Sequence, residues 1–144
     1  MKTENSPNPG TRRWMLVDDN DDALFLMRQM LLKAGILQIE CFNSSHDALA
    51  AFAAAPESFE MVITDFLMPG MDGIELSRRM FSLAPKIKIL LMTGSDSVST
   101  EKAGQEGFCG LLQKPFHLAA VRAALEAAAA GKFFTGSKSP TTGF

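Results

Sequence analysis

The sequence predicts an α/β protein of (βα)5 type, a five-stranded parallel sheet wound on both faces by helices. Three observations predict it. Short apolar runs at residues 14–17, 36–42, 61–64, 87–92 and 110–113 recur along the 144 residues, and a helical stretch follows each one. The third and fourth runs are almost wholly apolar, as strands buried on both faces are. The connections are short, with Gly35, Pro56, Pro85 and Gly131 as stops. Strand–helix alternation of this kind argues for a parallel sheet with right-handed crossovers.

The elements follow in order. Residues 1–11 carry prolines, asparagines and a glycine without periodicity, and read as a disordered leader. The folded domain takes residues 12–131. Residues 14–17 form a buried strand that ends in Asp18-Asp19. Asn20-Asp21-Asp22 supplies a cap and favourable negative charge for a helix over 23–34. That helix is apolar nearly all round. Ala23, Leu26, Met27, Met30 and Ala34 fit one buried stripe, while Leu24, Phe25 and Leu32 fall towards or beyond its edge.

The second strand, 36–42, precedes a cap-like segment, 43–45, and an alanine-rich helix that runs to 55. The third strand, 61–64, ends in Asp65, and the loop Phe66 to Asp72 opens into a helix over 72–83. The fourth strand, 87–92, ends in Thr93-Gly94 and leads to a weak polar helix over 97–106. The fifth strand, 110–113, ends in Lys114-Pro115 and leads to a helix over 118–130. Residues 132–144 read as a flexible tail or the start of a linker. Phe133-Phe134 stands out there, since adjacent aromatics suit a docked segment better than a free tail.

Composition excludes several classes. The formal net charge of −2 leaves no basic footprint, so direct nucleic-acid binding is not expected. No apolar run is long enough for a secretory signal or a spanning helix, so no membrane association and a cytoplasmic location are the default. Cys41 and Cys109 read as inert core residues rather than a disulfide or catalytic pair. His46 and His117 lack partners at metal-ligand spacing and read as solvated or capping residues. Asp18-x-Asn20-x-Asp22 resembles the opening of a calcium loop, but Ala23 stands where its glycine belongs and Gln29 where its glutamate belongs. No phosphate-cradling glycine string and no nucleophile elbow is present.

Asp18-Asp19, Asp65, Thr93 and Lys114 fall at the carboxyl ends of four different strands. In a doubly wound sheet those ends line one crevice. Three carboxylates at ~5 Å repel by about 3 kcal/mol per pair at an effective dielectric near 20, and a divalent cation relieves that cost. An oxygen-rich site of this kind suits Mg²⁺. With a fixed cation from Lys114 and a hydroxyl from Thr93, these are the parts that phosphoryl transfer to Asp65 needs.

The motifs Val17-Asp18-Asp19, Thr64-Asp65-Phe66-Leu67-Met68-Pro69-Gly70-Met71-Asp72-Gly73, Leu91-Met92-Thr93-Gly94 and Lys114-Pro115-Phe116 together resemble the receiver domain of two-component response regulators. The resemblance covers roughly residues 12–131. It implies a flavodoxin-like doubly wound sheet of order 2-1-3-4-5. It implies that Asp65 accepts a phosphoryl group from a histidine kinase or histidine phosphotransfer protein. Asp19, Asp65 and the backbone carbonyl of Leu67 then bind Mg²⁺ directly, with Asp18 acting through water or helping to set the site charge. Thr93 bonds the phosphoryl group, Lys114 pairs with Asp65, and the Lys114-Pro115 bond is cis. The implied role is that of a signalling module, not an enzyme beyond turnover of its own aspartyl phosphate. It acts on an unknown downstream protein, with a homodimer allowed.

Two alternatives compete with this role. An aspartyl-nucleophile phosphatase needs a second carboxylate two residues after the nucleophile, where Leu67 stands. A degenerate receiver, binding partners without phosphorylation, is opposed by the intact Asp19, Asp65, Thr93 and Lys114. Leu111 departs from the family, which places an aromatic three residues before the lysine. Leu67 and Ser95 occupy the two positions that in that family tune how water reaches the acyl phosphate.

Overall fold

The apolar runs become strands, and polar residues or turns end them. A computed structural model describes residues 13–94 and 98–136. In chain order the elements are β1 (Arg13–Val17), α1 (Asp21–Lys33), β2 (Ile39–Phe42), α2 (Ser45–Ala54), a 3₁₀ turn (Pro56–Ser58), β3 (Phe59–Asp65), α3 (Gly73–Leu83), β4 (Lys88–Thr93), α4 (Thr100–Gln105), β5 (Gly110–Gln113), α5 (Leu118–Ala129) and β6 (Phe134–Gly136). All strands pair in parallel in the order β2-β1-β3-β4-β5-β6.

The twofold periodicity of the strands divides the core into two layers. Met15, Val17, Val62, Ile89, Leu91 and Leu111 pack with Phe52, Leu76, Met80 and Ala103 of α2, α3 and α4. Leu16, Ile63, Leu90 and Leu112 pack with Leu24, Met27 and Leu31 of α1 and with Val121 and Ala124 of α5. Each fully buried Leu, Ile or Met side chain contributes about 1.5–3 kcal/mol. Side-chain caps start four of the helices: Asn20 accepts from Ala23 N–H, Ser44 from Asp47, Asp72 from Glu75 and Ser99 from Lys102. Each such cap is worth about 1 kcal/mol. Among the described residues, no helix is long and apolar enough to cross a membrane.

Four expectations are corrected. The sheet has six strands rather than five, because the chain turns after α5 at Gly131 (φ 73°) and lays Phe134–Gly136 along β5. On α1 the buried stripe is Leu24, Met27 and Leu31, while Leu26 is exposed. A helix apolar on most of its surface offers two neighbouring stripes, and the crossover from β1 decides which one meets the sheet. The weak fourth helix is shorter than expected, starting at Thr100 after its Ser99 cap, and Ser97 lies outside the described residues. Cys41 is exposed on the edge strand β2 rather than in the core, and both cysteines are free. The expected leader, and residues 137–144 of the expected tail, also lie outside the described residues.

Candidate functional site

The parallel register carries the ends of β1, β3, β4 and β5 to one edge. Val17 pairs with Thr64, Asp65 with Met92 and Thr93 with Gln113. The next residues, Asp18 and Lys114, therefore flank Asp65 from either side. One carboxylate oxygen each from Asp18, Asp19 and Asp65 lies within 4.8 Å of the others. Lys114 Nζ sits 2.8 Å from Asp18 Oδ2 and 3.2 Å from Asp65 Oδ1. Asp18 (1% exposed), Asp65 (8%) and Thr93 (1%) are buried, whereas Asp19 is exposed.

Local backbone holds these groups. Asp18 Oδ1 accepts from Asn20 N–H at 3.0 Å, so both oxygens of Asp18 are engaged, one by the turn and one by Lys114. The amide of Lys114 donates to the carbonyl of Thr93 at 2.8 Å, which ties β5 to β4 at the site. The Lys114-Pro115 bond is cis, as the resemblance implied. On the other side, Gly73 N–H donates to Phe66 O at 2.7 Å and closes the loop after Asp65. A Cβ at Gly73 would be driven into the carbonyl oxygen of Asp65 and lie 3.1 Å from Phe66 Cα. The φ of Gly73 is ordinary, so space alone requires the glycine there.

The electrostatics follow from the burial. Desolvation pushes the Asp65 carboxyl above its ordinary range, and the charge on Asp18 adds to that, against the pull of Lys114. Burial alone would lower Lys114, but its hydrogen bond to Asp18 and the charges of Asp18 and Asp65 outweigh that and hold it above its ordinary value. The result is a carboxylate at a water-accessible edge, with fewer compensating charges than a buried anion prefers. The chemistry of this donor set fits a hard divalent cation: three convergent carboxylates, one exposed, and oxygen donors only.

The expected residues Asp18, Asp19, Asp65, Thr93 and Lys114 are thus brought to one edge of the sheet. Leu67, two residues past Asp65, projects an exposed side chain at the rim. Leu111 is buried on the face shared by Val98, Ala103 and Phe108, so the site has no ring on β5. Ser95 lies outside the described residues. Two contributors escaped the sequence reading. The dual engagement of Lys114 with Asp18 as well as Asp65 depends on the spacing of β1 and β5, which no local motif records. The steric role of Gly73 was signalled only by a glycine at the first position of a helix, where it is a poor helix former.

Comparison with known proteins gives the family of this chain. The model of the response regulator receiver domain matches residues 15–126. The C4-dicarboxylate transport transcriptional regulatory protein DctD of Rhizobium meliloti is 37% identical over 102 residues, 70% of this chain and 22% of that protein. The response regulator receiver protein CpdR of Brucella abortus is 33% identical over 108 residues, 74% of this chain and 88% of its own length. A response regulator receiver domain protein from Clostridium thermocellum has a fold of TM-score 0.75 at 25% identity, covering 83% of this chain and 94% of that one. The chain spans about a fifth of the length of DctD but most of CpdR.

Proposed function

The chain belongs to the response regulator receiver family, and on that premise we propose that Asp65 is its phosphoacceptor. The observation that carries this reading is the buried Asp65 carboxylate set between Lys114 and the Asp18-Asp19 pair. An oxygen of Asp65 attacks the phosphorus of a phosphohistidine on a histidine kinase or a histidine phosphotransfer protein. The P–N bond breaks, the imidazole leaves, and an acyl phosphate forms; attack by water later returns the carboxylate and inorganic phosphate.

Asp19 and Asp65, with the Leu67 carbonyl, would hold Mg²⁺, since Asp18 is already engaged at both oxygens. The ion, when bound, supplies charge neutralisation to the oxygens of the transferring group. Lys114 keeps its charge and moves from the Asp65 oxygen to the new phosphoryl oxygens. The hydroxyl of Thr93 approaches them from the end of β4. The added charge of about −1.5 to −2 is what biases the switch. Leu111 carries no ring to move, so the readout falls to the segment from Thr93 through α4, which changes a partner-binding face.

The donor docks on exposed apolar side chains that follow Asp19 and Asp65 in the chain. Phe25 (62% exposed) and Leu26 (59%) lie in the second turn of α1, just after Asp19, and Leu67 (61%) lies just after Asp65. A helical donor domain would bury such side chains. The direct test is labelling by acetyl phosphate. Wild type takes label in Mg²⁺ and takes none when chelator is present from the start, and Asp65→Asn takes none in either. Folded wild type that stays unlabelled with several donors would instead support a phosphorylation-independent binding module.

A further inference from the structure

The sixth strand is built for its place. At the Gly110–Phe134 pair, a Cβ on Gly110 would come within 2.9 Å of both the Phe134 carbonyl and Leu90 Cδ1. At Gly136, any side chain would collide with the ring of Phe134, which folds back over that backbone, and its Cβ would lie 3.2 Å from Leu112 Cδ1. Gly136 itself is buried. The Phe134 amide donates to Cys109 O at 3.2 Å, and its ring packs with the α1/α5 layer of the core. Its neighbour Phe133 turns the other way. That ring is 39% exposed and sits 3.9 Å from the Cβ position of Gly104 in α4. The segment Phe133–Gly136 therefore straddles the edge of β5, with one ring on α4 and one in the α5 layer.

The helix under Phe133 is the least anchored one in the fold. Six residues long, it buries only Ala103. In chain order it is the element that follows the site, since β4 ends at Thr93 and α4 comes next. The same edge is reached from the other side, because β5 runs directly into Lys114. A movement of α4 or of the end of β5 thus alters the seat of Phe133 or the strand that β6 pairs with.

We propose that Phe133–Gly136 is an intramolecular strap over the outer edge of β5, and that charging of Asp65 loosens it and uncovers that edge. This rests on the phosphoacceptor reading above. By linkage, if binding at the site opens the strap by some factor, a strap held open strengthens binding at the site by up to that factor.

The test uses the full chain with Mg²⁺ and beryllofluoride as the phosphoryl mimic. Hydrogen exchange at residues 134–136 speeds by about fivefold or more when beryllofluoride is bound, a typical size for such coupling. Gly136→Val, which forces the Phe134 ring off the strand, binds beryllofluoride more tightly by a similar factor. Should that variant fail to fold, Phe133→Ser carries the same affinity arm, because it removes only the exposed ring on α4. Bound beryllofluoride with unchanged exchange at 134–136, or unchanged affinity in the folded variant, overturns the strap alone. A wild type that binds no beryllofluoride overturns the phosphoacceptor reading and the strap with it.

Discussion

The helices α3 and α4 lie on the same face of the sheet, yet they are held in different ways. The longer one, α3, buries Gly73, Leu76, Ser77 and Met80 and begins on the Asp72 cap. Its first residue presses on the backbone of Asp65 and Phe66. By contrast, α4 buries only Ala103. Much of its hold comes from Glu106 just beyond it, which takes both a bidentate bond from Arg78 of α3 (2.9 and 2.7 Å) and an ion pair from Lys102 (2.9 Å). The difference teaches a division of labour: Asp65 is set against a wall, and the hydroxyl of Thr93 is followed by an element that surface charges hold in place.

The largest effect that sharpens this contrast is expected from Gly73→Ala. The added methyl meets backbone that cannot yield without moving Asp65, so stability falls by about 3 kcal/mol in urea titrations. A variant as stable as wild type would remove the wall from the account.

Asp65→Asn is next, and its sign is opposite. Burial and the Asp18 charge raise the folded-state pKa of Asp65, so the folded protein holds that proton more tightly than the unfolded chain does. Stability is therefore lost as pH rises from the ordinary carboxylate value through the raised one. Without metal, Asp65→Asn is expected to be more stable than wild type by about 1 kcal/mol at neutral pH. The gain vanishes in acid below the ordinary carboxylate pKa and shrinks when Mg²⁺ is added. Thermal melts across pH read it.

Gly104→Ala probes the looser helix. Among the described residues only Phe133 is near, at ordinary contact distance, so the variant gains about 0.5–1 kcal/mol from helix propensity. A loss there would mean that α4 is packed as tightly as α3. The smallest effect is expected from Glu106→Gln. The hydrogen bonds from Arg78 and Lys102 bring the Glu106 carboxyl down to about 2, so its contribution is present above the ordinary carboxylate value and is lost as pH falls towards about 2. In the variant, α4 amides exchange faster while those of α3 do not change, and high salt reproduces part of the effect in wild type.

Much of this was legible in the chain. The ends of apolar runs located Asp18, Asp65, Thr93 and Lys114, because a parallel sheet puts all its carboxyl ends on one edge. What stayed hidden required knowledge of neighbours across the fold. The true stripe of α1 depends on how the crossover rotates a helix that is apolar on most sides. β6 is three residues long, too short for periodicity, and only Phe133-Phe134 hinted that the tail docks. The tie from Arg78 to Glu106 joins surface residues of two helices, and a single sequence pairs no such charges.

The measurement that bears most directly on the account is an amide NMR titration with beryllofluoride, with and without Mg²⁺, on wild type and Asp65→Asn. The prediction is saturable, Mg²⁺-dependent shifts in wild type, largest at Gly94 and in Val98 to Glu106 and small across the α3 turns beyond Gly73, with none in the variant. Shifts that persist in Asp65→Asn, that need no metal, or that are as large throughout α3 as in α4 would contradict it.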